Sequence, residues 1–263
     1  MPNRHPSVLC LSGHDPSGGA GILADATTLA AHGVHALSVL TALTVQDSGN
    51  VRRVIPTPVN ELAEYLAVLL ADSQPTVIKL GLIGATEQLP IIIKAIRRCR
   101  VPVVCDPVLR AGGGAELVPG AYAAALRASL LPHVTIATPN AAEARRLAPE
   151  AADLDACGSA LLASGCGHVL ITGGDEPDAA VTNRWYAPGA AVRHYQWPRL
   201  PETFHGAGCT LASALAAHLA RGDDIETAIE QAQAWTQQAL SRAYAVGRGR
   251  RIPGRIPNSN DAH

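Results

Sequence analysis

Short β-branched apolar runs alternate with longer helix-like stretches along most of this chain, and that alternation restricts the fold more than any other feature. Val8–Ser12, Ala36–Thr41, Val77–Leu80, Val101–Cys105, Val134–Ala137 and His168–Thr172 read as buried strands. Helical patterns lie between them, near Ala20–His32, Asn60–Ala71, Gln88–Arg98, Pro119–Leu131 and Leu154–Ser164. Such alternation predicts an α/β fold with a mostly parallel sheet covered by helices on both faces. After Gly174 the pattern changes: Val181–Tyr186 and Val192–Tyr195 flank Ala187-Pro188-Gly189 as a hairpin would. Two Ala-rich helices follow, Cys209–Arg221 and Ile225–Tyr244, with Gly222-Asp223-Asp224 as turn and cap. No repeat or linker-like stretch interrupts the 263 residues, so one domain is expected, with a core over about 7–247.

Hydrophobic residues make up 48% and charged ones 16%, enough apolar material for a large core. No apolar run approaches the roughly 20 residues that span a bilayer, and no apolar segment with a small-residue cleavage site opens the chain. None of the six cysteines forms a C-x-x-C pair, so the expected compartment is the reducing cytosol. A net charge of −1 gives no reason to expect a nucleic acid or an acidic membrane as partner. Arg248, Arg250, Arg251 and Arg255 cluster in a basic C-terminal stretch (248–263), which reads as a solvated, partly disordered tail.

In an open parallel sheet, ligands bind beyond the carboxyl ends of the strands, and there the chain places most of its Gly and Asp. No G-x-x-x-x-G-K-[ST] motif is present, and lysine occurs only at Lys79 and Lys94. Gly19–Ala24 fits G-x-G-x-x-A, but the loop before it is too long for a dinucleotide turn and no acidic residue follows at ribose distance. The stronger anion motif is Thr203–Leu211 (TFHGAGCTL). Its glycines let the amides of Ala207, Gly208 and Cys209 face one anion at a helix N-terminus; alone, the segment reads equally as an ordinary Gly-rich helix start. A thiol in that first turn, Cys209, is expected to have a lowered pKa and to accept a proton, although a small packing residue suits the position too. Asp25 sits on an otherwise apolar helix, which suits a buried or pocket-facing carboxylate needing a partner as well as an exposed first-turn acid; Asp106 ends a buried strand before Pro107, and Asn140 and Glu143 follow Thr138-Pro139. Carboxylates with a nearby amide suit Mg²⁺ held largely through water; singly they are also common turn and cap signals.

Taken together, these segments resemble the ribokinase-like kinases of sugars and vitamins. Within them the likeness is to hydroxymethylpyrimidine/phosphomethylpyrimidine kinases of thiamine biosynthesis. It rests on Gly13–Asp25 (GHDPSGGAGILAD), Thr41–Asp47 (TALTVQD), Lys79–Leu82 (KLGL), Val104–Val108 (VCDPV), Thr138–Glu143 (TPNAAE), Gly173-Gly174 and His205–Leu211 (HGAGCTL). The resemblance implies a three-layer α/β/α fold, usually dimeric, that transfers the γ-phosphoryl group of ATP to a primary alcohol. By position, Gly13, Asp25, Thr44, Gln46, Leu82 and Val108 would line the pyrimidine pocket, with the substrate hydroxyl between Asp25 and Cys209. Gly206, Ala207, Gly208 and Cys209 would form the anion hole and supply the base, where more distant sugar kinases carry an Asp. Asp106 and Glu143 would handle Mg²⁺, and Asn140, Thr172 and Gly174 would approach the nucleotide. Thr172 stands where many relatives have Lys, and Arg110 beside Gly112–Gly114 is a candidate replacement cation. Leu82 stands for a frequent Met, and His14 for a small hydroxyl residue. Two rival readings remain: a pyridoxal-type kinase, and a non-catalytic pyrimidine sensor.

Overall fold

The computed structural model describes residues 5–109 and 121–256. Nine strands form one sheet in the order β3-β2-β1-β4-β5-β6-β7-β8-β9. Chain order runs β1 (Ser7–His14), α1 (Gly21–Ala31), β2 (His35–Gln46), β3 (Val51–Pro56), α2 (Val59–Asp72), β4 (Val77–Leu80) and α3 (Leu89–Cys99). Next come β5 (Val103–Cys105), α4 (Ala121–Ala125), β6 (Ile136–Ala137), α5 (Ala141–Leu147), α6 (Leu154–Ala163) and β7 (His168–Ile171). Strands β8 (Ala180–Tyr186) and β9 (Arg193–Pro198) precede α7 (Ala207–Arg221) and α8 (Ile225–Ser241). Strands β1, β2 and β4 to β7 pair in parallel, whereas β3, β8 and β9 are antiparallel additions at the two edges.

Burial on both faces explains why the central strands are almost purely apolar. Successive side chains alternate between faces, so Leu9 and Leu11 enter one core with α2, α3 and α6 while Val8 and Cys10 enter another with α1, α7 and α8. The same alternation turns Lys79 of β4 towards the α1/α7 layer, the side that takes Val77. From β1 the chain goes to β2 on one side and later to β4 on the other, so β1 and β4 flank the topological switch point where a crevice forms.

Four expectations need correction. Strand β3 was not anticipated, because Arg52 and Arg53 break the apolar run; an edge strand tolerates both, and the Asp47 carboxylate accepts from the N–H groups of Gly49 and Asn50 to make the turn before it. Helix α5 was also missed, being only seven residues long. The expected tail is ordered through Ile256: Phe204 bridges Arg251, Tyr244 bridges Ile252, and Arg255 is buried. The expected helix over Pro119–Leu131 is α-helical only at Ala121–Ala125, then π-helical at Leu126–Leu130. Pro119, Arg110, Gly112–Gly114 and the last seven residues lie outside the described residues. No described helix is long and apolar enough to cross a membrane.

Candidate active site

The loop leaving β1 is organised around the buried Asp15. Its carboxylate accepts from the Ser17 N–H and hydroxyl at 2.8 Å each, from the Ala20 N–H at 2.8 Å, and pairs with His205 Nε2 at 2.7 Å. Burial alone would raise this carboxyl, but the hydrogen bonds from His205 and Ser17 outweigh it and hold it well below the usual carboxylate range. The loop is thereby tied to the segment before α7. Beyond it, the Thr44 hydroxyl donates to the His14 carbonyl at 2.8 Å, placing Thr44 and Gln46 beside Gly13 and Leu82.

Helix α7 starts without a side-chain cap, from Gly206 at φ +88°. A Cβ there would fall 1.8 Å from the Gly19 carbonyl oxygen, so close approach and left-handed geometry both demand glycine. The Gly206 carbonyl accepts from the Thr210 N–H at 2.9 Å and hydroxyl at 2.7 Å. The N–H groups of Ala207, Gly208 and Cys209 find no acceptor among the described residues, and all three residues face the cavity. Helix starts leave such donors open to a ligand. The Cys209 thiol does not have the lowered pKa expected from the helix terminus: burial pushes it up to about 12, against the opposing pull of Lys79. It lies beside the Asp106 carboxylate, which burial raises and which Lys79 and the thiol's hydrogen bond lower in part.

Asp25 does not line the cavity as the resemblance implied; it is the buried carboxylate with a partner. It is fully buried, accepting from Lys79 Nζ at 2.7 Å, Ser12 Oγ at 2.5 Å and Ser213 Oγ at 2.8 Å. Burial opposes the Lys79 charge, yet Asp25 holds its pKa above the usual lysine value. Ser213 is one turn beyond Cys209, so this ion pair lies under the start of α7 and supports it from below.

At the opposite rim, α5 begins with a capping box. Asn140 Oδ1 accepts from the Glu143 N–H at 2.8 Å and Glu143 Oε2 from the Asn140 N–H at 3.0 Å. Glu143 Oε1 also accepts from the Leu109 N–H at 3.3 Å, and Asp175 accepts from the Ala141 and Ala142 N–H groups at 3.2 and 3.0 Å. Burial and the neighbouring Asp106 charge push Glu143 up to about 8. A divalent cation would relieve a buried carboxyl raised in this way by its neighbour's charge. Among the described residues no three His, Cys, Asp or Glu side chains gather as a metal cage; Asp106 and Glu143 could hold a divalent cation only with water and ligand oxygens completing its shell.

One cavity of about 700 Å³ joins these parts, and every anticipated site residue among those described, except Asp25, lines it, Val108, Thr172 and Gly174 included. Sequence reasoning gave no role to the far end. There the Gly173 N–H donates to Asn183 Oδ1 at 3.0 Å, while Asn183 Nδ2 and Trp197 Nε1 both donate to Gln233 Oε1, at 2.9 and 3.2 Å. Arg199 donates to the carbonyls of Gly174, Glu176 and Asp178 at 2.7–3.0 Å. None of these four lies in a Gly-rich motif, so no local signal marked them. Asp15 and His205 did lie in quoted motifs, but only the fold brings them together.

Known proteins are similar to this chain in sequence and fold. The family model described as phosphomethylpyrimidine kinase matches residues 15–253. The hydroxymethylpyrimidine/phosphomethylpyrimidine kinase of Synechococcus elongatus is 35% identical over 255 residues, covering 93% of this chain and 95% of that one. The thiamine biosynthetic bifunctional enzyme of Arabidopsis thaliana is 34% identical over 94% of this chain, which spans only 49% of that longer protein. The pyridoxal kinase of Staphylococcus aureus, solved with AMP-PCP and pyridoxal, superposes with a TM-score of 0.86 at 25% identity, covering 96% of this chain and 94% of that one. The chain belongs to the phosphomethylpyrimidine kinase family of ribokinase-like enzymes.

Proposed function

We propose that the protein transfers the γ-phosphoryl group of ATP to the hydroxymethyl group of 4-amino-5-hydroxymethyl-2-methylpyrimidine, a step towards thiamine, in the cytoplasm and as a homodimer. The observation that carries this reading is the open start of α7: three amides with no acceptor among the described residues, facing a cavity whose other wall holds Thr44 and Gln46. The Gln46 amide supplies both a donor and an acceptor, as an aminopyrimidine edge requires. Gly13, Leu82 and Val108 complete the pocket around the ring, and Leu82 fills the place of a Met at nearly the same volume.

ATP would lie over the strand ends from Asn140 through Thr172 and Gly174, its γ-phosphoryl group at the Ala207–Cys209 amides. Those amides stabilise the charge on the moving group without reorganising during transfer. Mg²⁺ near Asp106 and Glu143 would neutralise phosphate charge. A buried neutral thiol cannot be a preformed base, so Cys209 acts as a relay: Sγ takes the alcohol proton as its own S–H proton passes to Asp106. The exposed Leu43, Val45 and Ile55 on the β2–β3 edge supply apolar surface for a second copy.

Pyridoxal remains the second reading, favoured by the structural likeness to a kinase solved with that ligand. A coupled ADP-release assay on the pyrimidine alcohol, its monophosphate and pyridoxal separates the readings. Turnover highest on the pyrimidine alcohol is expected, and turnover on the monophosphate would show that a second phosphorylation proceeds without a Lys at Thr172. A preference for pyridoxal would overturn the substrate, and tight pyrimidine binding without turnover of any alcohol would make the protein a sensor.

A further inference from the structure

Arg255 lies two residues beyond the matched family segment, in a stretch whose composition suggests a loose tail. It is instead only 5% exposed. Its Nη2 donates to the carbonyls of Gly19 at 2.5 Å and Gly206 at 3.5 Å, Nη1 to that of Gly18 at 3.4 Å, and Nε to the Thr210 hydroxyl at 2.9 Å. No described carboxylate forms an ion pair with it; carbonyl dipoles and one hydroxyl carry the compensation a buried guanidinium needs. The segment bearing it is held firmly. The Gly254 N–H donates to Ala239 at 2.8 Å, Ile252 and Tyr244 exchange both backbone hydrogen bonds, and the His205 N–H donates to Arg251 at 2.8 Å.

We propose that Arg255 is the positioning residue for the phosphoryl-binding start of α7. Across a trans peptide the carbonyl and the following N–H point in opposite directions. Drawing the Gly206 carbonyl towards Arg255 and Thr210 therefore aims the Ala207 N–H the other way, into the cavity. The same relation at Gly19 aims the Ala20 N–H at Asp15, which receives it at 2.8 Å. One planar fork thus sets the orientation of two facing loops, a task that the single ammonium of lysine cannot reproduce. The guanidinium also places a buried positive charge behind amides that would meet an anion. This inference rests on the reading of those amides as the γ-phosphoryl site, not on the identity of the acceptor.

The test compares calorimetric affinities of full-length wild type, Arg255→Lys and Arg255→Met for AMP-PCP and for ADP, each with Mg²⁺. A misaimed nest should weaken the ligand that carries a γ-phosphoryl group and spare the one that lacks it. Arg255→Met should lose about tenfold in AMP-PCP affinity, the loss of one charge-supported hydrogen bond, with ADP changed less than twofold. Arg255→Lys should fall between, at about threefold. Unchanged AMP-PCP affinity, or equal losses for both nucleotides, would overturn the proposal, since a merely structural role moves both alike. If Arg255→Met does not fold, the same ratio on Arg255→Lys decides, and no difference from wild type refutes it. A protein that shows this ratio yet never phosphorylates the pyrimidine would sink the substrate assignment alone.

Discussion

Helices α5 and α7 both begin at the rim of one cavity, yet α5 closes its own N-terminus with side chains of Asn140, Glu143 and Asp175, whereas α7 uses none. Free amides at a helix start are a cost unless water, a cap or a ligand meets them. Where the chain has something of its own to place there, it does so; at α7 it places Gly206, which brings the backbone close and offers no side chain at all. The difference separates a helix start serving the fold from one left for a ligand. The carboxylates differ too: Asp25 is paired with Lys79 away from the cavity and Asp15 is held low by its donors, while Asp106 and Glu143 line the cavity with raised proton affinity.

The contrast can be broken in graded ways. Cys209→Ala should lower kcat by roughly 10²–10⁴ if the thiol relays the proton, with KM for the alcohol nearly unchanged; a loss below about fivefold would remove Cys209 from that role. Gly206→Ala should act on both fold and function, because the new Cβ meets the Gly19 carbonyl. About 2–3 kcal/mol of stability and at least about tenfold in kcat, a displaced amide donor, should be lost. A variant with wild-type melting temperature and rate would show that α7's start is not held as described. Asp175→Ala should be mildest. The Ala142 N–H loses its acceptor while the Ala141 N–H keeps the Thr172 carbonyl at 3.1 Å; the cost should be about 1 kcal/mol, or about 2–4 °C in Tm, with kcat within about threefold. A larger catalytic loss would mean that α5 also serves the reaction.

Much of the architecture was legible because buried parallel strands are mostly apolar: β4 falls on Val77–Leu80, apolar but for Lys79, as its residues suggest. The weak elements follow other rules. Strand β3 needs only one paired edge and carries arginines, and α5 announces itself by an Asn140…Glu143 capping box too short to show periodicity. The site was legible wherever glycines mark close backbone approach. Asp25 was misplaced because one sequence cannot reveal that Lys79, 54 residues away, lies beneath the same helix. Arg255 was misread for the same reason: Arg, Gly and Pro near a terminus look like a solvated tail until the carbonyls they reach are known. The thiol's raised pKa shows burial overriding the helix terminus, a balance that spacing does not reveal.

The central claim is that the amides opening α7 bind the transferring phosphoryl group. Backbone amide NMR of the deuterated protein, titrated with Mg²⁺, ADP and aluminium fluoride as a mimic of that group, addresses it directly. The Ala207, Gly208 and Cys209 resonances should move downfield together, by more than those of Ala141 and Ala142, whose N–H groups already meet Asp175. If the α7 amides stay in place while the nucleotide binds elsewhere in the cavity, the claim is wrong.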